Sequence, residues 1–466
     1  MAWGLYVLPH LTVGVSGAKE PVVWRGRAGA SHHRQGGSYE AWRNEVAAPM
    51  AGNPLGVFAL SAAFAAPLLR KTGGEGGGFH IRGASSTGKT TLLIAAGSVC
   101  GGGGPLGYSQ SWRNTDNALE AVALAHNDGL LALDELRALA PEAAGLAAYT
   151  LAAGVSKGRM RAEGELRPRP TWRVMILSTG EISLADMVRL SKTKERAYAG
   201  QELRLLDLQA NQGQGLGCWR ELHGAPGAAA FSEQIRAAAS THYGHALPLF
   251  VERILERETE LLTAHAEVKA AFLAEALRAR DHGQIRRAAH RFADVAAAGE
   301  LASLLDVVPW PRHEAAQSVL AIFNEWADAF GRALPREDRD VIRTVRRFLE
   351  QNAGSAFRRV RGDDDLDDGL ATNRAGEARA LKEYGHVLEH ASAGWLYCFG
   401  TESFREILQG FDAEQAACVL QKLGFLFTTE GARGLQYKFR LPGIGFRSGY
   451  AVKASILEGN DDPDTA

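Results

Sequence analysis

Apolar and polar positions change rhythm several times along the chain. Residues 5–8, 11–15 and 22–25 are short β-compatible runs broken by glycine and proline. From Ser38 the spacing turns helical: Ser38 is placed to cap a helix carrying Trp42 and Val46, and the alanine-rich stretch 55–69 predicts a second helix. The glycine-rich tract 73–78 reads as a turn. Between about 79 and 210, apolar runs at 79–82, 129–133 and 173–178 alternate with helical stretches, which predicts a parallel sheet with crossover helices. Residues 228–355 are helical in pattern almost throughout. The acidic run 363–368 reads as a linker, because its carboxylates do not fall in the register of a calcium loop. A helix at 412–423 followed by strand-like pieces at 425–429 and 437–441 has the outline of a winged helix. The tail from 459 reads as disordered, and no internal repeat is found.

Composition narrows this picture only a little. A chain of 466 residues with 46% hydrophobic and 23% charged residues is ordinary for a soluble protein of two to four domains. Its net charge of −1 means that any basic surface is local. Cys100, Cys218, Cys398 and Cys418 are scattered, without metal or redox spacing, which fits a reducing cytoplasm. The first 18 residues lack the basic start of a signal peptide and are interrupted by Gly4, Pro9 and His10. No apolar run reaches the length of a membrane span, so no membrane partner is expected.

Candidate chemistry changes the picture most. Gly83, Ala84, Ser85, Ser86, Thr87, Gly88, Lys89 and Thr90 match a phosphate-binding P-loop at every fixed position, and Thr91 follows in the helix. Small residues are needed because successive backbone N–H groups must wrap an anion while the next helix aims its N-terminus at it. In that reading Lys89 reaches the β- and γ-phosphates of ATP and the Thr90 hydroxyl ligates Mg2+. Forty-five residues after Lys89, an apolar run ends in Asp134 and Glu135. Asp134 then holds magnesium through water and Glu135 polarises the attacking water. A third run ends in Ser178 and Thr179, either of which is a candidate γ-phosphate sensor. Arg204, set among apolar residues, is a candidate arginine finger acting on a neighbouring subunit; a salt-bridged arginine on a helix is the ordinary alternative. Arg287 and Arg291, four apart on one helix, are read as a second sensor or as a charged stripe.

Between the second and third runs, Lys157, Arg159, Arg161, Arg167, Arg169 and Arg173 face only Glu163 and Glu165, with a Glu-Gly turn between them. Such a basic hairpin can grip phosphates without reading sequence, or it can simply be a solvated face. His32 and His33 have no partner at metal spacing. Trp395, Tyr397, Phe399, Phe404 and Phe411 read as the core of the C-terminal module.

Taken in order, several stretches resemble the Cch-like helicase family of mobile genetic elements. They are Tyr-Glu-Ala-Trp-Arg at 39–43, the P-loop at 83–91, Leu-Ala-Leu-Asp-Glu-Leu at 131–136, Tyr-Thr-Leu-Ala-Ala-Gly at 149–154 and Leu-Ser-Thr-Gly-Glu at 177–181. The stretch 199–207 and the pair at 291–293 and 298–302 complete the set. That family is in turn similar to the minichromosome-maintenance AAA+ ATPases, which act as hexameric rings on DNA. The resemblance implies that Lys157, Arg159 and Arg161 lie on a pore hairpin and that Arg204 acts in trans. Ser178 or Thr179 stands where those relatives usually carry Asn. The expectation is an α/β protein: a β segment at 1–37 that reads as a truncated domain, an AAA+-like P-loop core at 38–225, a helical lid at 226–360, an acidic linker at 361–376, a winged-helix-like module at 377–457 and a tail from 458. The expected function is an ATP-hydrolysing, ring-forming DNA helicase of a phage or integrated element. An ATP-switched assembly factor and a DNA-binding replication initiator are its rivals.

Overall fold

The computed structural model describes residues 4–14, 22–24, 32–158, 168–191, 203–360, 382–429, 434–441 and 445–458. The linker at 361–376, the tail from 459, and Arg159 and Arg161 lie outside the described residues. The chain divides into two compact units, Met1–Phe330 and Gly331–Ala466.

A five-stranded, all-parallel sheet organises the first unit. Its strands are β3 (Gly77–Arg82), β4 (Gln110–Ser111), β5 (Gly129–Asp134), β6 (Val174–Gly180) and β7 (Leu205–Gln209), in the order β4-β5-β6-β3-β7. A small N-terminal hairpin, β1 (Tyr6–Val7) with β2 (Thr12–Val13), precedes it, and Tyr6 donates its hydroxyl hydrogen to the Asp128 carbonyl at 3.1 Å. The connection from β3 runs one way along the sheet and those from β4 and β5 run the other. Right-handed crossovers therefore place α3 (Lys89–Cys100) on one face and α4 (Asp116–Ala125) and α5 (Pro141–Ala153) on the opposite face.

Both faces are covered, so the strands read as continuous apolar runs rather than alternating ones. Within each run, successive side chains still go to opposite sides. Phe79, Ile81, Leu130, Ala132, Met175 and Leu177 join the core under α3. Leu131, Leu133, Val174 and Ile176 join a separate core with Leu119 of α4 and Leu151 of α5. β7 shows why residues 202–207 are ambiguous in sequence. Leu205 faces one core and Leu206 and Leu208 the other, a short apolar run whose period cannot separate strand from helix. Leu205–Gln209 is a strand and Arg204 stands in the turn just before it, so Arg204 does not sit on a helix.

Helices complete the unit. Ser38 caps α1 (Tyr39–Trp42) by accepting from the Ala41 N–H. The apolar helix predicted over 55–69 is α2 (Pro54–Ala65), which gives way at Ala66–Leu68 to a single tighter turn containing Pro67. Then follow α6 (Leu184–Arg189), α7 (Ala228–Thr241), α8 (Ala246–Glu256), α9 (Glu258–Ala276), α10 (Gly283–Leu304) and α11 (Glu314–Phe330). A chain of edge-to-face rings joins sheet to helices: Phe58 to Phe79 at 4.7 Å, Phe79 to Phe292 at 4.9 Å, and Phe292 to Phe323 at 5.2 Å. α2 and α10 pack so closely that a Cβ on Gly299 would lie 2.3 Å from the Ser61 Oγ.

In the second unit, α12 (Arg336–Asn352), α13 (Thr401–Ile407) and α14 (Ala413–Lys422) pack with a six-stranded sheet. Its path is β11 (Leu426–Phe427), β13 (Gly445–Lys453), β10 (Gly394–Gly400), β9 (Gly385–His390) and β8 (Phe357–Arg359), with β12 (Tyr437–Leu441) on β13. The expected helix and its two following strands are present. The two strands do not form the expected ribbon with each other: each pairs with β13, which β10, β9 and β8 extend into the larger sheet. β10 escapes notice in sequence because Leu396 and Cys398 fill one core while Phe399 fills the other, which hides the alternation. Of the aromatic residues expected in this core, Phe399 and Phe404 are buried, whereas Trp395 is exposed and carries Arg359 over its ring at 4.9 Å.

Candidate functional site

The loop 83–88 leaves the carboxyl end of β3, where α/β sheets bind ligands. Gly88 adopts a φ of 93° and Ser86 one of 62°, so the chain reverses sharply before α3 begins. Ala84, Ser85 and Ser86 form an exposed crest. The Gly83 N–H donates to the Gly180 carbonyl at 3.2 Å, which ties the loop to β6. Lys89 is buried and turns back on the loop. Its Nζ donates to the Gly83 carbonyl at 2.9 Å, the Ala84 carbonyl at 2.6 Å and the Thr87 Oγ1 at 3.4 Å. No side chain caps α3. A cation held on neutral carbonyls, beside an uncapped helix start, suits a polyanion such as a nucleotide phosphate.

The period of two in the strands assembles the rest. Asp134 follows Leu130 and Ala132 on the α3 face of β5, and Thr179 follows Met175 and Leu177 on the same face of β6. Thr90, in the first turn of α3, stands over both. The Thr179 hydroxyl donates to Asp134 Oδ1 at 2.5 Å, and the Thr90 hydroxyl lies 3.4 Å from the same oxygen. Two hydroxyls converging on one carboxylate oxygen form an oxygen-donor set of the kind a hard divalent cation takes. Glu135 has a left-handed φ of 57°, rare for a non-glycine residue. Its N–H donates to the Thr179 Oγ1 at 3.4 Å, and its carboxylate accepts from the Arg137 N–H at 3.1 Å.

Not every expected residue arrives here. Of the two candidate sensor hydroxyls, the structure brings Thr179 to Asp134 and turns Ser178 to the opposite face. There the Ser178 Oγ is fully buried between Trp112 and His80. Arg204 lies at the foot of the sheet, level with Gly77 and Gly78, and stacks 4.5 Å over the Tyr149 ring. Arg287 pairs with Glu75 at 3.0 Å. Arg291 is buried and donates to the Leu203 carbonyl at 2.8 Å and the Gly76 carbonyl at 3.3 Å; burial lowers its guanidinium to about 10. Six residues of β3 separate that level from Gly83, roughly 20 Å of strand. Arg287 and Arg291 are therefore not γ-phosphate contacts of their own chain's loop. Lys157 is ion-paired with Asp116 at 2.6 Å. On either side of the undescribed residues 159–167, Val155 stands antiparallel to Thr171 and the Ser156 N–H donates to the Pro170 carbonyl at 3.0 Å.

A flank of the loop that sequence reasoning missed comes from the segment after β7. The Cys218 N–H donates to the Thr87 carbonyl at 2.9 Å, and the Trp219 indole lies against Gly88 while donating to the Ser232 Oγ at 2.8 Å. Glycines 213, 215 and 217 all have positive φ. Their every-other-residue spacing was the available signal. A Cβ on Gly217 would lie 2.4 Å from the Thr87 carbonyl oxygen, so only glycine admits this approach.

Residues 2–171 match the family described as a domain of unknown function, DUF927. Comparison with curated protein sequences returns no match. Among solved structures, the chain is similar to one described as "SCCmec type IV Cch - active helicase". The match has a TM-score of 0.68 at 20% identity, over 98% of this chain and 78% of that one. Among the described residues, no helix is long and apolar enough to cross a membrane. The five-stranded parallel sheet with its flanking helices thus belongs to a fold that a helicase also uses.

Proposed function

We propose that this chain is a cytoplasmic, Mg2+-dependent ATP hydrolase of the Cch-like, AAA+ type that assembles into a hexameric ring and moves on DNA as the helicase of a phage or integrated element. The observation that carries the reading is the meeting of Lys89, Thr90, Asp134 and Thr179 at the carboxyl ends of β3, β5 and β6. The likeness in fold to an active helicase supports the choice of motor over other P-loop ATPases.

ATP bound with magnesium would supply an activated phosphoanhydride and a Lewis acid. Lys89 exchanges its carbonyl partners for phosphate oxygens, and the start of α3 adds backbone donors. Thr90 and Asp134 would hold the metal. Glu135 takes the proton of the attacking water, and Thr179 orients Asp134 beside it. Arg204 serves the site of a neighbouring copy, since its own loop lies at the far end of the sheet. Lys157, Arg159 and Arg161 contact the DNA backbone from the hairpin. In this reading residues 38–225 are the ATPase core and 377–457 a winged-helix-like module; of the expected lid at 226–360, residues 226–330 lie in the first unit, whereas α12 and β8 pack within the second.

The test is ATP hydrolysis by the full chain with and without single-stranded DNA, beside Glu135→Gln. Stimulation by DNA with an inactive variant is expected. Hydrolysis indifferent to DNA would remove the translocase, and a wild-type chain that binds but never hydrolyses ATP would remove the enzyme.

A further inference from the structure

Behind the carboxylate cluster, on the face of the sheet away from α3, three polar side chains are sealed in an apolar core. Trp112, Ser178 and His80 are each fully buried. Their hydrogen bonds have only one consistent direction. The Ile182 carbonyl can only accept, so the His80 Nε2 at 3.0 Å carries the hydrogen. Full burial keeps the ring neutral, so Nδ1 is bare and accepts from the Ser178 hydroxyl at 2.9 Å, and the Ser178 oxygen accepts from the Trp112 indole N–H at 2.8 Å. Every donor in this line finds an acceptor, which is the condition for a buried polar chain to rigidify a core rather than weaken it.

The line touches each part of the site from behind. The Trp112 backbone N–H donates to the Asp134 carbonyl at 3.1 Å. Ser178 adjoins Thr179, whose hydroxyl holds the Asp134 carboxylate. The His80 ring abuts Gly180, where a Cβ would lie 2.9 Å from Cε1, and the Gly180 carbonyl accepts the Gly83 N–H of the loop. Apolar side chains would fill this space as well, but they would leave the ends of β5 and β6 free to slide by fractions of an ångström.

We infer that Trp112, Ser178 and His80 form a positioning relay that holds Asp134, Thr179 and the loop in register for hydrolysis, an inference that rests on the ATPase reading above. All three side chains are fully buried behind the strand ends, on the face away from α3 and the loop's exposed crest, so the relay acts on turnover and not on binding.

Ser178→Ala removes the central hydroxyl, and Trp112→Phe removes only the indole donor and part of a ring. The full-length variants are assayed for ATP turnover and for affinity towards a fluorescent ADP analogue. Each is expected to lower kcat by roughly 10-fold, short of the roughly 100-fold that a full 1 Å misplacement can cost, with ADP affinity within about twofold of wild type. The double variant is expected to be no worse than the poorer single one, because both break the same line. A kcat within about twofold of wild type, a parallel loss of ADP affinity, or additive effects would each overturn the relay. If Trp112→Phe fails to fold, Ser178→Ala decides alone. A wild-type chain without hydrolysis overturns the ATPase reading, and the relay with it; an active wild type with active variants overturns the relay only.

Discussion

Replacing Thr179 by valine isolates one interaction with little change of shape. The side chain is buried, so the isosteric methyl leaves no cavity, and what is lost is the hydroxyl that donates to Asp134 Oδ1 at 2.5 Å and accepts the Glu135 N–H at 3.4 Å. A hydrogen bond to a charged group contributes about 1.5–3 kcal/mol. If that energy holds the carboxylate in its hydrolytic orientation, its loss lowers turnover by roughly 10- to 100-fold, since about 1.4 kcal/mol is a factor of ten. Affinity for ADP should hardly change, because Lys89 and the start of α3 are untouched. Steady-state hydrolysis, binding of a fluorescent ADP analogue and urea unfolding are measured on Thr179→Val and Thr179→Ser. The serine variant keeps the hydroxyl and should retain most of the activity. A valine variant with a kcat near wild type would refute the assignment of Thr179 as the residue that orients Asp134.

Three further outcomes follow from the geometry. Gly217→Ala puts a Cβ 2.4 Å from the Thr87 carbonyl at a φ of 66°, so ADP affinity should fall at least about tenfold as the loop is displaced; unchanged affinity in titrations would show that the flank does not shape the loop. Burial holds His33 at about 3 and His126 and His80 at about 4, below the ordinary 6.5, so the unfolded chain binds more protons between those limits. Their contribution is complete above about pH 6.5 and drains away as pH falls towards 4, at up to about 1.4 kcal/mol per pH unit for each group. Urea midpoints taken from pH 7.5 to 5 should therefore decline, and His33→Phe should flatten the slope; a slope unaltered by that change would contradict the account. Phe292→Ala empties the junction between Phe79 and Phe323 and should cost about 3–5 kcal/mol in urea unfolding.

The sheet was legible because its strands are buried on both faces and end in unusual residues. Continuous apolar runs at 129–133 and 173–178 announced central strands, and their polar ends marked the carboxyl edge where Asp134 and Thr179 stand. Choosing between Ser178 and Thr179 needed the phase of the strand against α3, and a run of apolar residues carries no phase. β7 and β10 were lost for the same reason. The Gly217 flank and the Trp112 line were illegible for a different reason. Their partners lie far apart in sequence: Cys218 meets Thr87, and Trp112 meets Ser178. The spacing of Gly213, Gly215 and Gly217 marks an unusual backbone but not its partner, and nothing local marks the Trp112 contact at all.

The arginines carry the reasoning from one chain to an assembly. Arg204 and Arg291 gather where β3 and β7 begin, and Arg287 pairs with Glu75 just ahead of β3. Arg287 and Arg291 are committed there, one to a carboxylate and one to backbone carbonyls. Arg204 differs: among the described residues it makes no ion pair, and its guanidinium is spread over the Tyr149 ring. Tyr149 is itself exposed, as is Leu146 one turn before it on α5. A guanidinium parked on an exposed aromatic ring keeps its charge available to an approaching anion, which a bidentate salt bridge would not. Its own loop lies roughly 20 Å away along the sheet, which is why the proposal gives Arg204 to the site of another copy. Of these three arginines, Arg204 is thus the one the proposed ring would use, being held among the described residues by neither a carboxylate nor a backbone carbonyl.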